Sequence, residues 1–227
     1  MAASDNQDNI INYAGDFRIK TVNILSYRKA EGSEKAFRVN LIPQTMAINF
    51  VEDVLSPCVN GSIDVADGQD FRTLLPITGN EKLELHLFTP GQSELKYIEG
   101  ETDCLSVYKV DKIRISGGTG RQQIYRVHFT SREAILNSTR RISKAFAGPV
   151  ENAVYEIMHG EVNGLDTRKA LYLEPTATNT KIVVPHMKPF RTIKLFADNA
   201  ISAKYSNAGC ADSKKYMTST VLTSPAA

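Results

Sequence analysis

The chain lacks several residue types and patterns that would point to a particular class of protein. It has no tryptophan, the side chain that most often stacks on sugars, although nine tyrosines remain. Its three cysteines, Cys58, Cys104 and Cys210, are odd in number and far apart, which argues against a disulfide framework and predicts free thiols in a reducing cytoplasm. We find no secretion signal and no run of about 18 uncharged apolar residues, so we expect no membrane anchor.

Charge of one sign is not in excess either. The 27 lysines and arginines nearly balance the 25 aspartates and glutamates, which leaves a formal net charge of +2. Such a balance supplies no strong field for gathering nucleic acid or an anionic membrane. The short basic pairs at Arg140–Arg141 and Lys214–Lys215 are interpreted as solvated surface.

Metal-binding patterns are also absent. The sequence contains no CxxC, HExxH or HxH motif, and its four histidines have no mutual spacing typical of a metal site. His86 and His128 fall on the polar faces of predicted strands, where we expect exposed imidazoles. Asp64, Asp67 and Asp70 surround a glycine in the wrong register for a calcium loop, so we interpret them as turn formers.

Two pairs of neighbouring carboxylates, Glu52 with Asp53 and Glu81 with Glu84, come nearest to a catalytic acid pair. Glycoside hydrolysis needs two carboxylates on facing elements at a set separation, one of them in an apolar pocket, and the sequence indicates neither condition. No GxSxG nucleophile motif occurs. We therefore predict that the protein is not an enzyme, and we assign no catalytic, cofactor-binding or metal-binding residues and no cofactor.

The most informative segment that is present extends from Ala47 to Gly91. Short strands alternate there with proline, glycine and aspartate, and apolar residues recur at every second position. Val59 to Val65 and Leu83 to Leu87 are the clearest examples. A period of two buries its apolar set only in a strand with one solvated face, so the segment predicts antiparallel sheet.

The strand pattern continues over most of the first 130 residues. Many short strands separated by turn signals favour a closed or nearly closed barrel, because closure removes exposed edges. The candidate strands are Phe17 to Tyr27, Phe37 to Leu41, Ala47 to Leu55, Val59 to Val65, Leu83 to Phe88, Leu105 to Ile115 and Ile124 to Phe129. The apolar phase slips within Leu105 to Ile115, which predicts a bulge and a bend. The glycine-rich residues 117–120 that follow predict a hairpin turn rather than a phosphate-binding loop.

Helical periodicity begins after Phe129. Thr130 and Glu133 have the spacing of a capping box, which predicts a helix start. A second helix is predicted to open at Pro149, to bury Val150, Ala153, Val154, Ile157 and Met158, and to end at Gly160. A third is predicted to begin at Pro189 and to bury Phe190, Ile193, Phe196, Ala197, Ala200 and Ile201.

The sequence thus predicts an α+β fold, a mainly antiparallel β-barrel followed by a small α/β insertion-like unit. We place a flexible arm at residues 1–15, the barrel at 16–130 and an α-rich or α/β unit at 131–203. Residues 204–227 are expected to form either a last barrel strand or a tail.

The order and spacing of these segments resemble a known family. The segments are AINFVEDVLSPCVNGSIDVADGQDF, LLPITGNEKLELHLFTPG, LSVYKV and YRVHFTSREAILNSTRRISKAFAG. They are similar to the N-terminal half of the central baseplate hub protein of contractile-tailed bacteriophages, and related barrels occur in the spike proteins of type VI secretion. The resemblance covers roughly Phe17 to Ile201. Family members commonly carry a second barrel, so we expect a shortened or split hub or a piece of a longer one.

The resemblance implies a structural role in a virion. It implies a ring-like homo-oligomer, a trimer, that joins tail tube to spike or other baseplate proteins and surrounds a lumen through which the genome passes without specific recognition. The implied location is the tail baseplate, after assembly in the host bacterial cytoplasm. Two alternatives remain open: a hub or spike-like part of a bacterial contractile injection system, and a cell-wall-degrading or sugar-binding β-barrel.

Overall fold

The computed structural model describes residues 17–29, 36–53, 56–71, 77, 79–89, 94–100, 103–116, 122–177 and 179–204. Within these residues the contacts define two compact units, one made of 17–51 and 60–131 and the other of 52–59 and 132–204. The expected arm at 1–15, the glycine-rich turn at 117–120 and all of 204–227 except Lys204 lie outside the described residues.

The first unit is an antiparallel sheet. Its strands are β1 (Arg18–Lys29), β2 (Ala36–Asn40), β3 (Thr45–Val51), β4 (Asn60–Asp67), β5 (Lys82–Phe88), β6 (Leu95–Tyr97), β7 (Leu105–Ser116) and β8 (Gln122–Thr130), with a 3-10 helix at Ile42–Gln44. The strand order is β2-β1-β5-β7-β8-β4-β3, and β6 pairs with β5 beside the short β5–β7 pairing. Every predicted strand of this region is present, whereas the three-residue β6 was not predicted.

The apolar side chains of alternating positions fill one side of this sheet. Leu83 and Leu85 of β5, like Val127 and Phe129 of β8, are fully buried. The sheet curls around them. Its curvature is evident from the ring of Phe50 on the end strand β3, whose centroid lies 6.2 Å from that of Tyr97 on β6 and 6.4 Å from that of Phe129. The fold is therefore α+β and dominated by a curled, half-barrel sheet.

The pairing of β7 with β8 explains part of the curvature. Its register shifts twice, between Val107 and Lys109 and between Asp111 and Arg114. A bulge bends its strand and increases the local twist. The bulge predicted from the phase slip is therefore confirmed, with two irregularities instead of one.

The sheet has two ends, β2 and β3, that are not hydrogen-bonded to each other within the described residues. Only Leu41 and the 3-10 helix separate these strands in sequence, and the Leu41 amide donates to the Val22 carbonyl of β1 at 2.8 Å. The chain itself thus links the two ends of the curled sheet.

The second unit is built on a strand pair. It contains α1 (Arg132–Thr139), β9 (Ile142–Pro149), α2 (Val150–His159), β10 (Asn179–Met187) and α3 (Pro189–Asn199), and β9 pairs antiparallel with β10. One face of this pair carries Phe146 and Val184, whose side chains join the helical core. The ring of Phe146 meets Phe196 of α3 edge-on with centroids 5.3 Å apart. The strand β9 was not predicted from the sequence.

The helix predictions hold for α2 but fail in detail at α3 and α1. The helix α3 begins at Pro189 as predicted, but only Phe196 and Ala200 of its predicted apolar set are buried, and Ile201 lies beyond its end. The apolar set predicted for α2 is buried, with Gly160 as its C-cap, and Pro149 is the N-cap instead of the first helical residue. Thr130 belongs to β8, and the Glu133 carboxylate is occupied by Thr167 and Lys169. The predicted capping box is therefore wrong, because the Glu133 side chain binds residues distant in sequence instead of the start of its own helix.

Candidate interaction surfaces

The structure gives separate roles to the acids that sequence inspection paired. Glu52 and Asp53 are exposed. Glu81 is buried and one of its oxygens accepts from the Gly79 amide at 2.7 Å. Glu84 is held by different partners, so Glu81 and Glu84 each have a structural hydrogen-bonding role.

Glu84 is the centre of a buried polar cluster on the side of β5 away from the apolar core. Its carboxylate is 1% exposed and accepts from the Asn23 amide at 2.9 Å, from the Arg38 guanidinium at 2.9 Å and from the Glu99 backbone at 3.2 Å. Arg38 itself remains half-exposed. A buried carboxylate needs such donors, and here they connect β1, β2 and the residues after β6 to one oxygen pair.

Cys104 lies in the same environment. Burial, and next the negative charge of Glu84, raise the pKa of the Cys104 thiol to about 12. A thiol whose pKa is raised in this way stays protonated at neutral pH and is a poor nucleophile. Cys58 and Cys104 are free cysteines, and Cys210 lies outside the described residues.

A second set of hydrogen-bonded polar side chains on this side of the sheet connects β1 and β5 through Glu94. The Lys20 ammonium is 2.6 Å from one oxygen of Glu94, and Nε2 of His86 is 2.8 Å from the other. Hydrogen bonds from Lys20 and then His86 lower the pKa of Glu94. His86 is 9% exposed, so the expectation of an exposed imidazole at this position is wrong.

A third set of paired polar side chains extends across β7, β8 and β4. Arg126 donates through two nitrogens to the two oxygens of Asp64, at 2.5 and 2.6 Å. Asp111 lies 2.8 Å from Lys109 and 3.1 Å from His128, and hydrogen bonds from these two residues lower its pKa to about 2. His128 is therefore paired and partly buried instead of freely exposed.

Of the three aspartates interpreted as turn formers, Asp64 lies inside β4, so that interpretation is wrong for it. The other two, at and after the end of β4, behave as turn formers. Asp67 accepts from the Gln69 amide at 3.0 Å, an Asx-type turn, and its other oxygen is 3.3 Å from the Tyr125 hydroxyl. Asp70 has a φ of 57° and accepts from the Gln123 side chain. Among the described residues, no group of three or more histidines, cysteines and acids is placed to hold a metal ion.

The free edge of β3 is the feature of the first unit best suited to contact another chain. Its seven residues, TMAINFV, contain no charge and no proline, and Met46 and Val51 are 62% and 58% exposed. Within the described part of the chain no strand pairs with the outer side of β3. Edge strands normally carry charges or proline that prevent pairing with other chains, and this one carries neither. The missing charges were visible in the sequence, but the position of the strand at the end of the sheet was not.

The second unit holds a buried ion pair. Glu133 is 1% exposed, and its oxygens accept from the Thr167 hydroxyl at 2.7 Å and from the Lys169 ammonium at 3.1 Å. Burial acts to raise the pKa of Glu133, but Lys169 and Thr167 outweigh it and the net shift is downward. The pair ties the start of α1 to the segment before β10.

A shallow cleft of about 260 Å³ lies on the same unit. Ile142, Phe146 and Ile157 contribute apolar walls, and the ion pair between Lys144 and Glu156 also lines the cleft. This volume is below the roughly 300 Å³ at which small-molecule pockets usually begin.

Comparison with known proteins adds no relative. No family model matches the chain, and no curated protein matches it. Over the described residues, none of the helices has the length and apolar character needed to cross a membrane.

Proposed function

We propose that the protein is a structural component of a phage tail baseplate, a hub or adaptor that joins tail tube to spike and surrounds the channel. The resemblance to central hub proteins supports this role, because its segments coincide with strands of the curled sheet and with the start of the α/β unit. The observation that carries the proposal is the uncharged free edge of β3 on that sheet. A ring subunit needs such a surface, and a stable monomer would be expected to protect it.

In the proposed assembly, each subunit offers the free edge of its sheet to a neighbouring subunit. Met46 and Val51 would lose their solvent exposure in that contact, and the neighbour would complete the barrel that the resemblance implies. Main-chain hydrogen bonds between strands give affinity, while the flanking side chains select the partner. Repetition around a ring, with three copies as the expectation, would leave a central lumen for the genome.

The mass and symmetry of the purified assembly test this role. Light scattering and negative-stain electron microscopy should show a closed ring that binds the tail-tube and spike proteins encoded in the same genome. The double variant Met46→Lys and Val51→Lys should dissociate the ring, because lysine on an edge strand opposes pairing. Val162→Lys, at a position that is 83% exposed in the second unit, is the matched control and should leave the ring intact.

A stable monomer without affinity for tube or spike proteins would overturn the proposal. Since the resemblance extends to spike proteins of type VI secretion, genomic neighbours decide between the two settings: capsid and terminase genes indicate a phage, and sheath and secretion ATPase genes indicate an injection device. Clearing in a cell-wall zymogram would instead support the wall-degrading alternative.

A further inference from the structure

The strand pair of the second unit has one face that nothing in the described structure covers. Alternation along β9 and β10 sends Phe146 and Val184 into the core and turns the intervening residues outward. The outward positions are Ser143, Ala145 and Ala147 on β9, with Asn179, Lys181, Val183 and Pro185 on β10, and all seven are exposed. We call this set the bare face.

The centre of the bare face is apolar. Val183 pairs with Ala145 and Lys181 with Ala147, so the valine and the two alanines are neighbours on adjacent strands. Val183 is 73% exposed, although a valine at the middle of a strand is normally buried against another layer. An apolar centre inside a polar rim is the arrangement found in protein interfaces, whose fully buried part is more apolar than its surroundings.

Three positive charges lie around that centre. Lys181 stands at one end of the bare face, and Arg141 and Lys188 flank the other end, where Met187 pairs with Ile142. The guanidinium of Arg141 donates to the carbonyls of Ser138 and Arg140, which fixes it in place without neutralising it. In the described residues no carboxylate pairs with any of these three cations, and none of the seven bare-face residues is acidic.

Three acidic side chains elsewhere in this unit are paired with other cations. Glu133 is bound to Lys169, Glu156 to Lys144 and Asp166 to Arg132. Each of these three carboxylates is held by another cation, and the cations of the rim remain able to attract the carboxylates of a partner.

We propose that the bare face is a docking surface for another protein, one that presents an apolar patch flanked by aspartates or glutamates. A second copy of this chain placed face to face is disfavoured, because a two-fold contact would bring identical basic rims together. Nucleic acid is a poorer fit, because the apolar centre offers no hydrogen-bond donors to phosphates and the bare face has no aromatic ring for bases. The proposal does not depend on the baseplate role, since it concerns a different surface from the edge of β3.

Binding of a labelled peptide to the full chain tests the proposal. The probe is Glu-Glu-Thr-Val-Thr-Val-Thr-Glu-Glu, which carries valines between acidic ends, and its charge-reversed counterpart has lysine in place of glutamate. Fluorescence anisotropy should show saturable binding of the acidic peptide only. Lys181→Glu and Lys188→Glu should each weaken it at least about fivefold, since reversing a charge replaces attraction by repulsion. Val183→Asp should weaken it comparably.

Two variants provide matched controls. Lys194→Glu reverses an exposed charge on α3 outside the bare face, and Val162→Asp places a charge at another exposed valine. Both should bind the acidic peptide as the unmodified chain does. Circular dichroism of every variant establishes that the fold is intact.

Three results would overturn the proposal. One is an acidic peptide that fails to bind, or binds equally well after Lys181→Glu and Val183→Asp. Another is equal or tighter binding of a short duplex DNA that the same substitutions abolish, which would assign the surface to nucleic acid. The third is dissociation of a homo-oligomer by Val183→Asp alone, which would make the bare face a contact between copies. Ring formation through β3 is measured separately, so its failure is distinguishable from each of these.

Discussion

The ring of Phe129 lies directly over the backbone of Gly61. A β-carbon built at Gly61 would be 2.3 Å from Cζ of Phe129 and 2.5 Å from the carbonyl oxygen of Asn49. Phe129 is fully buried, and its ring centroid lies 6.4 Å from that of Phe50, so the surrounding core restricts any movement of the ring. The close approach of β3, β4 and β8 at this point therefore requires glycine.

We expect Gly61→Ala to lower the free energy of unfolding of the first unit by about 2 kcal/mol, since the extra methyl group overpacks the core. Chemical denaturation measures the loss. Gly68→Ala is the control, because a β-carbon there meets nothing within 4 Å. Adding Phe129→Leu should recover only part of the loss, because the clash with the Asn49 carbonyl remains. Equal stability of Gly61→Ala and Gly68→Ala would contradict the packing described here.

The buried pair Glu133–Lys169 predicts a strong asymmetry between single and double substitutions. Glu133→Gln should destabilise the second unit by about 3 kcal/mol, because Lys169 is left buried without its counter-charge. The double variant Glu133→Leu and Lys169→Met should recover most of that loss, since it removes both buried charges. Thermal and urea unfolding measure each effect.

An exposed pair in the same unit is the natural comparison. Lys144 and Glu156 are each about half exposed, at 51% and 53% of the side chain. Glu156→Gln should therefore cost less than about 1 kcal/mol. A loss at Glu156 equal to that at Glu133 would show that burial does not determine the cost.

The lowered pKa of Glu133 also predicts how the stability depends on pH. A carboxyl whose native pKa lies below its unfolded value binds fewer protons when folded, so acid favours unfolding. Its contribution is fully present above the unfolded pKa of about 4.3 and is lost as the pH falls through the native pKa. The stability difference between the unmodified chain and Glu133→Gln should accordingly shrink as the pH is lowered below about 4.3. Urea unfolding curves at neutral and acidic pH provide the comparison, and a constant difference would contradict the assignment.

Local periodicity predicted the elements whose burial pattern is regular, and it failed where distant residues decide. The alternation of Leu83 and Leu85 was sufficient to identify β5, and the spacing of Ala153 and Ile157 to identify α2. The burial of Glu84 was not predictable, because three partners far apart in sequence create it. Periodicity assigns a residue to a face but cannot tell whether that face is solvated.

The strand β9 shows the same limit. Its burial pattern places only Ile142 and Phe146 in the core, four residues apart, a spacing that sequence reasoning associates with a helix as readily as with a strand. Its partner β10 lies beyond α2, so nothing adjacent in sequence indicated the pairing. The bare face could therefore be recognised only after the pairing was known.

The environment of Cys104 predicts low reactivity toward thiol reagents. With its pKa raised to about 12, chiefly by burial, almost none of the Cys104 thiol is ionised at pH 8, and the thiolate is the reactive form. In a Cys210→Ser background, Cys58 should react with Ellman's reagent well before Cys104, because Cys58 is partly exposed. Urea should equalise the two rates by unfolding the sheet. Mass mapping of the modified peptides identifies the site, and modification of Cys104 first in the folded protein would contradict its burial behind the Glu84 cluster.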